Sequence, residues 1–291
     1  MSFVVAASPE TKGVGVNFIF GVSMKRILIG IALTSSLVAC GISQQQEVQM
    51  GVEYAQQINA QLPIVQDPEL NRYINVLGDS IARLTSRGNL DWRFFIVDSK
   101  EVNAFAVPGG FIYVNRGLIE RTDRMDEVAG VLGHEIGHVV RRHTVKQMEK
   151  AQGANIGVTL ACVLTSVCNS QVAGAAINIA GGAVFARFSR QDELEADNEG
   201  INNVVRAGIN PQGIVTMFQK LIAERRSRPA GVEAWFRTHP LEEDRIAAVQ
   251  ARINQIPRAT LARLGTDTRN FHTFKARLQS LPPSPPPRQL Q

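Results

Sequence analysis

Two histidines four residues apart, His134 and His138, enclose Glu135 in a short motif of the pattern HExxH. On an α-helix, residues four apart lie on one face, so both imidazoles can reach a single metal ion. Glu135 directly follows the first histidine, which places its carboxylate beside the metal, where it can hold a water molecule. Apolar residues before the motif, among them Val128 and Val131, predict that this helix buries one face. The motif therefore predicts a metal centre with an adjacent base, rather than surface histidines on an amphipathic helix.

A metal centre of this kind needs a third protein ligand, because catalytic zinc takes three protein ligands and keeps a position for water. The best source is the acidic run 193–197 on another predicted helix. Glu193 and Asp197 share a face of that helix, whereas Glu195 points elsewhere. One of the pair can bind the metal while the other accepts a hydrogen bond from a ligand histidine. Taken alone, the same run is typical of a solvated helix face.

The order of these motifs resembles a known family. HExxH followed by Glu-x-x-Ala-Asp about 55 residues later is similar to the zinc metallopeptidase family of the CAAX prenyl protease and the HtpX-type heat-shock protease. Within it, the chain most resembles the soluble periplasmic and outer-membrane lipoprotein members, such as the β-barrel assembly-enhancing protease. The likeness covers residues 67–255 and includes four further stretches: Asn103–Ala106, Pro108–Gly110, Ser189–Arg190 and His239–Pro240.

The resemblance implies a gluzincin (zincin-like) fold and a set of site residues. One zinc ion per chain would be held by His134, His138 and Glu193. Asp197 would be the hydrogen-bond partner behind a ligand histidine. Zinc lowers the pKa of bound water toward 7 and polarises the scissile carbonyl. Glu135, as general base, would accept the water proton and deliver it to the leaving amine.

The resemblance also assigns residues around the metal. A predicted strand over 102–107 would be the edge with which an extended substrate pairs by β-addition; its residues include Asn103, Ala104, Phe105 and Ala106. His239 and Arg245 match a histidine–arginine pair of the family and are candidates for stabilising the oxyanion or contacting the metal. His239 would then act either as a plug that becomes a fourth zinc ligand, or as a substrate contact or helix cap.

The secondary structure predicted around these residues indicates an α+β fold. It is mainly helical, with a small three-stranded sheet beside the HExxH helix. Asp67 with Pro68 begins one helix, and Ser189 with Asp192 forms a capping box that begins another. The predicted strands cover 92–97, 102–107 and 111–115, and the later helices cover 122–150, 189–208, a segment from 210, and 241–255. On the unbroken helix 122–150, His143 lies off the metal-binding face and is expected at the surface.

The amino terminus predicts export and a lipid anchor. Met24-Lys25-Arg26 precedes a mostly apolar run, 27–38, which is too short to span a membrane. The run ends in Leu37-Val38-Ala39-Cys40, which resembles the lipobox of bacterial lipoproteins, so Cys40 would be lipidated and Met24 is the expected start. The predicted divisions are an upstream extension with signal peptide (1–39), a lipid-anchored linker (40–66), the metalloprotease domain (67–257) and a C-terminal extension with a Pro-rich disordered tail (258–291).

The amino-acid composition excludes several classes of protein. The chain has 291 residues, with 31 basic and 26 acidic side chains, and 44% of its residues are hydrophobic. This mix excludes a disordered chain or a disulfide-dense mini-scaffold, and the basic residues are too scattered to predict nucleic-acid binding.

Cys162 and Cys168 would form a short disulfide or remain two free buried cysteines. The apolar stretch 154–186 either dips into a membrane or, as favoured, is a buried helix with a loop over the cleft.

Together these features predict a zinc endopeptidase, lipid-anchored on the periplasmic side of the outer membrane, that cleaves unfolded or misassembled envelope proteins. The outer-membrane assembly machinery is a further candidate partner. The alternative is a chaperone-like outer-membrane assembly factor with a latent or structural zinc site. Glu135 favours catalysis, because a structural site has no use for that base.

Overall fold

The computed structural model describes residues 41–153, 187–240 and 243–285 of the chain. Within these residues the fold is α+β and mainly helical, with a three-stranded sheet, which confirms the predicted fold class. The strands are β1 (Arg93–Val97), β2 (Ala104–Val107) and β3 (Phe111–Asn115). The helices are α1 (Gln44–Gln61), α2 (Pro68–Ala82), α3 (Arg116–Glu120), α4 (Met125–Val140), α5 (His143–Gly153), α6 (Arg190–Arg206), α7 (Gln212–Ser227), α8 (Pro229–Thr238), α9 (Glu243–Asn254), α10 (Arg258–Leu261) and α11 (Arg269–Gln279).

The sheet has the order β1-β3-β2, with β1 parallel and β2 antiparallel to β3. The turn Pro108–Gly110 joins β2 to β3, and in it Gly109 and Gly110 have φ angles of 85° and 104°. Glycine suits this turn because it adopts positive φ without the steric cost of a Cβ atom. The strand order places β2 at an edge of the sheet, where it packs against α4.

Helix α4 carries the HExxH motif and is buried from Met125 to Val139. It approaches α6 closely along two glycines. A Cβ atom at Gly133 would lie 2.9 Å from Val204 Cγ1, and one at Gly137 would lie 2.6 Å from the carbonyl oxygen of Ala196. Glycine inside a helix costs about 1 kcal/mol relative to alanine, and here it allows two helices to pack nearly backbone to backbone. The close packing brings the HExxH motif against the helix that carries the acidic run.

The prediction of one unbroken helix over 122–150 is wrong, because the helix is interrupted at residues 141–142. Helix α4 ends at Val140 and α5 begins at His143, with Arg142 between them in a left-handed conformation at φ of 57°. This conformation is uncommon for a residue with a side chain. It is held here by Arg142 Nε, which donates a hydrogen bond of 2.8 Å to Glu47 Oε2. The chain therefore changes direction directly after the HExxH motif.

A buried ionic cluster around Glu47 attaches α1 to the end of α4. Arg87 donates to both carboxylate oxygens of Glu47, at 2.7 and 3.0 Å, and to the carbonyl oxygen of Val139 at 2.8 Å. Arg142 Nε pairs with the same carboxylate. The range 40–66, expected as a linker, thus contains a helix that packs on the domain. A glutamate in a Gln-rich segment is typical of an exposed helix, so its burial has no signature in the sequence.

Replacement of Glu47 by Ala is expected to lower the free energy of unfolding by about 3–5 kcal/mol, because it leaves two guanidinium groups without their buried partner. Urea denaturation followed by circular dichroism measures the change. Glu53→Ala on the same helix is the matched control, since Glu53 is exposed and surface changes stay within about 0.5 kcal/mol. Equal stability of the two variants would contradict a structural role for the cluster.

The C-terminal helix α11 contributes to the hydrophobic core that also contains buried residues of α2 and α4. It buries Phe271, Phe274 and Leu278, and the ring of Phe274 stacks on Tyr73 of α2 with centroids 4.3 Å apart. The range expected as a C-terminal extension therefore contains a helix that covers α2. Its apolar residues follow helical spacing, but only the tertiary structure shows which surface they cover.

Several predictions lie outside the described residues. They concern the signal peptide in 1–39, lipidation of Cys40, the pairing of Cys162 with Cys168, and the apolar stretch 154–186. Among the helices that the structure describes, none combines the length and the apolar character needed to cross a membrane.

Candidate metal centre

Four buried side chains bring donor atoms together: His134 and His138 of α4, Glu193 of α6, and His239, which follows α8. One ligand atom from each lies within 4.8 Å of the others. His134 Nε2 lies 3.1 Å from His138 Nε2 and 3.3 Å from His239 Nδ1. Glu193 Oε1 lies 3.3 Å from His138 Nε2 and 3.1 Å from His239 Nδ1. The structure thus brings the three residues predicted as ligands together with His239.

The spacing of these donors allows all four to reach one metal ion. Metal–ligand bonds of about 2.0–2.1 Å place the corners of a zinc tetrahedron about 3.3 Å apart. Four of the six donor pairs, at 3.1–3.3 Å, are close to that value, and the closest approach of a Glu193 oxygen to His134 Nε2 is 3.6 Å. Imidazole nitrogens with a carboxylate are also ligands that zinc and related divalent metals accept. Both the geometry and the chemistry of the donor set fit a bound divalent metal.

The position of Glu193 is set by the first turn of α6. The Ser189 hydroxyl accepts a hydrogen bond from the Asp192 amide at 3.1 Å, and the Ser189 amide donates to Asp192 Oδ2 at 3.0 Å. This reciprocal capping box fixes where the helix begins. Glu193 and Asp197, one turn apart, then both face α4 and are buried.

Asp197 contacts His134, and Arg245 contacts both Asp197 and Glu193. His134 Nδ1 lies 2.9 Å from Asp197 Oδ1 and donates to it when Nε2 faces the metal. Arg245 donates from Nε and Nη2 to Asp197 at 2.6 and 2.9 Å. Its Nη1 pairs with Glu193 and donates to the carbonyl oxygen of Pro240 at 3.0 Å. Arg245 therefore clamps the two carboxylates, which makes it a positioning residue.

The charges of this cluster set the protonation states. Burial acts to raise the pKa of Glu193 and of Asp197, but the charge of Arg245 and the hydrogen bonds and charges of the neighbouring side chains together outweigh it, so both pKa values lie below their usual range. Burial lowers the pKa of His138 well below its ordinary value, which favours the neutral imidazole that binds metals. Burial also acts to lower the pKa of His239, but the charges of Glu193 and Glu135 outweigh it and raise that pKa.

Glu135 lies beside the donor set and is fully buried. Within the described residues neither of its carboxylate oxygens accepts a hydrogen bond, and Oε1 lies 3.5 Å from His239 Nε2. Burial raises the pKa of this carboxyl group. A buried carboxylate without a partner is costly to the fold. Its place beside the donor set makes it a candidate proton acceptor.

His143 was wrongly expected at the surface. It is buried, and its Nδ1 lies 3.0 Å from Nδ1 of His138. On an unbroken helix the five-residue separation would turn His143 about 140° away from His138. The left-handed residue Arg142 redirects the chain and brings the ring back under the motif. Arginine is not a residue that signals such a break, so sequence reasoning missed this contact.

Aromatic rings surround the histidines. Phe188 packs on His138 with ring centroids 4.0 Å apart, and Trp235 stacks on His239 at 4.6 Å. The amide of Phe188 donates to the carbonyl oxygen of Thr238 at 3.1 Å, which joins the start of α6 to the residue before His239. His239 is thereby held against α6, far along the sequence from the HExxH motif.

Comparison with known protein families identifies one family whose range covers this cluster. The model of peptidase family M48 matches residues 68–253, a range that contains all four donors and Glu135. The chain belongs to peptidase family M48. This confirms the metallopeptidase family that the motifs predict.

The M48 chain has relatives in bacteria and in mitochondria. It is 35% identical to the β-barrel assembly-enhancing protease of Escherichia coli O157:H7 over 224 residues, 74% of this chain and 45% of the relative. It is 34% identical to metalloprotease YcaL of Escherichia coli (strain K12) over 156 residues, 53% of this chain and 59% of the relative. It is 26% identical to the mitochondrial metalloendopeptidase OMA1 of Schizosaccharomyces pombe over 208 residues, 72% of this chain and 59% of the relative. The chain spans about half the length of these relatives.

In this M48 chain the predicted substrate edge lies on β2. Ala104, Phe105 and Ala106 are strand residues at the edge of the sheet, and all are buried. Asn103 precedes the strand, and its carbonyl oxygen accepts a hydrogen bond of 2.9 Å from the amide of Asn115. These residues neighbour the helix that carries HExxH, because β2 packs on α4.

Proposed function

We propose that this M48 chain is a zinc endopeptidase that hydrolyses unfolded or misassembled proteins of the bacterial envelope. The observation that carries the proposal is the buried carboxylate of Glu135, which has no hydrogen-bond partner among the described residues and lies beside the cluster of four donor side chains. A metal site that only stabilises the fold has no use for such a base.

In this proposal His134, His138 and Glu193 hold one zinc ion per chain. Zinc, when bound, polarises the scissile carbonyl and lowers the pKa of water. Glu135 accepts the proton of the attacking water and delivers it to the leaving nitrogen, consistent with a carboxyl pKa raised by burial. The hydrogen bond to Asp197 keeps the proton of His134 on Nδ1, so that Nε2 stays free to bind the metal.

For Arg245 we propose a role different from the one that the resemblance suggests. Its donors are directed at Asp197, Glu193 and the carbonyl of Pro240. We therefore assign it to holding the two carboxylates in place rather than to stabilising an oxyanion.

The names of the relatives and the edge strand support the proposed substrate class and location. An extended, unfolded segment can pair with β2, which lies at the sheet edge beside α4. The name of the β-barrel assembly-enhancing protease supports an envelope setting and a link to the outer-membrane assembly machinery.

Cys40 would attach the chain to the periplasmic side of the outer membrane. Mass spectrometry of the membrane-bound protein tests this anchor, and an amino-terminal peptide without acyl chains would contradict it.

Removal of the metal is expected to abolish proteolysis reversibly. Digestion of unfolded casein is measured before and after dialysis against a chelator, and again after one equivalent of zinc is added. Activity that disappears with the chelator and returns with zinc supports the proposal. Full activity of protein shown by metal analysis to be free of metal would contradict it.

A second function is favoured by His239, whose Nδ1 adds a fourth donor atom to the cluster. Four protein ligands are typical of a closed, structural zinc site, whereas catalytic sites keep one position open. The chain would then be a chaperone-like assembly factor with a latent site, or a protease held inactive by this histidine. A plug role for His239 accounts for both observations, the fourth donor atom and the base Glu135.

His239→Ala is accordingly expected to raise the basal rate of casein cleavage, because it frees the position that water needs. Zinc content should remain at one per chain through the other three ligands. If His239 instead stabilises the transition state, kcat falls by about 10²–10³ with zinc retained, as for one lost oxyanion-type donor. The sign of the change in kcat therefore decides between the two roles.

A further inference from the structure

His143 is a buried histidine that is neither in the HExxH motif nor in the donor set. It is the first residue of α5, and its ring contacts His138 through Nδ1 at 3.0 Å. Its other nitrogen, Nε2, lies 3.5 Å from Glu195 Oε2 and 3.7 Å from Asp192 Oδ1. The imidazole thus lies between His138 and the acidic first turns of α6.

The proton positions in this chain of groups follow from its geometry. His138 directs Nε2 at the other donors, so in the neutral, metal-binding form its proton is on Nδ1. That N–H points at His143 Nδ1, which must therefore be the unprotonated nitrogen and accept the hydrogen bond. The proton of His143 is then on Nε2, the nitrogen that faces Glu195 and Asp192. Each group has one consistent role.

The two histidines of HExxH are supported in parallel ways. His134 donates from Nδ1 directly to a carboxylate, Asp197. His138 donates to an imidazole, which in turn faces carboxylates at the surface. A carboxylate in the place of His143 would add a negative charge to an interior that already contains Glu193 and Asp197, with burial disfavouring its charged form. A neutral imidazole supplies the acceptor without that charge.

We propose that His143 is a positioning residue that fixes the tautomer and the ring orientation of His138, so that its Nε2 is presented to the metal. The proposal rests on the ligand set of the proposed function and extends it by one residue. The left-handed turn at Arg142 places the ring, and its outer nitrogen faces the carboxylates of Glu195 and Asp192. His143 itself does not contact the metal, the water or the substrate.

The test is the zinc affinity of three variants, measured by competition with a chromophoric chelator. His143→Phe keeps a ring of similar size but removes the acceptor, and it should weaken zinc binding about 10–100-fold, the usual effect of losing such an outer partner. His143→Asn should restore affinity to within about threefold of the wild type, because its amide oxygen can occupy the place of Nδ1. His272→Phe is the matched control, since His272 is exposed and pairs with Asp267.

Cobalt substitution supplies a readout that a loss of packing alone would not move. The visible absorption bands of the cobalt protein should shift in His143→Phe and return to the wild-type position in His143→Asn. Thermal unfolding of the metal-free variants checks that each is folded, and His143→Leu replaces the phenylalanine variant if that one fails to fold.

Wild-type affinity in a folded His143→Phe variant would overturn the proposal, as would an equal loss in the Asn and Phe variants. A wild-type protein that binds zinc but cleaves no unfolded substrate would instead contradict the endopeptidase proposal and leave the role of His143 standing. The two failures are therefore distinguishable.

Discussion

Glu135→Gln is expected to lower kcat for the hydrolysis of unfolded casein by about 10²–10⁴-fold, the contribution of a well-placed general base. The amide has nearly the same shape as the carboxylate but cannot accept the proton of the attacking water. Glu135 Oε1 lies 3.5 Å from His239 Nε2 and belongs to no hydrogen bond within the described residues. The change should therefore leave the fold and the metal in place while removing the base.

The measurement is a comparison of kcat with zinc content and unfolding temperature determined on the same samples. Glu233→Gln is the matched control, because it makes the same chemical change at an exposed position of α8. Equal activity of Glu135→Gln and the wild type would remove the enzyme proposal and favour the chaperone-like alternative. A fall in activity accompanied by an equal fall in zinc content would assign Glu135 to metal retention instead.

Local sequence signals predicted the elements of this fold well. The helix starts at Asp67-Pro68 and at Ser189 were confirmed, because each depends on hydrogen bonds between residues three or fewer positions apart. Strand β3 has the predicted bounds, 111–115. The fold class and the family were also predictable, since HExxH and the acidic run mark the two helices that meet.

The predictions that failed concern contacts between residues far apart in the sequence. The break at Arg142 depends on its ion pair with Glu47, a residue 95 positions away, and no local pattern records such a pair. The contact of His143 with His138 depends in turn on that break. The resemblance singled out Arg245 but not its partners, because its contacts with Asp197 and Glu193 form only when α9 packs beside α6.

Glu193→Ala is expected to lose the metal, whereas Glu195→Ala should retain one zinc per chain. Glu193 is fully buried within the donor set, while Glu195 lies at the edge of α6 with 29% of its side chain exposed. Metal analysis after gel filtration in equimolar zinc measures the difference. Glu193→Gln, which keeps the shape of the side chain, tests the same role if the alanine variant does not fold.

Three histidines remain in Glu193→Ala, and zinc can be held by three histidines elsewhere. Here they should not be sufficient, because Arg245 Nη1 pairs with the carboxylate that is removed. Without Glu193 its guanidinium keeps only Asp197 as a carboxylate partner among the described residues, and a divalent cation would meet the less balanced positive charge of Arg245. Zinc affinity should therefore fall further than the loss of one neutral ligand would cause. Retained zinc in Glu193→Ala together with loss in Glu195→Ala would mean that the ligand lies two residues further along α6.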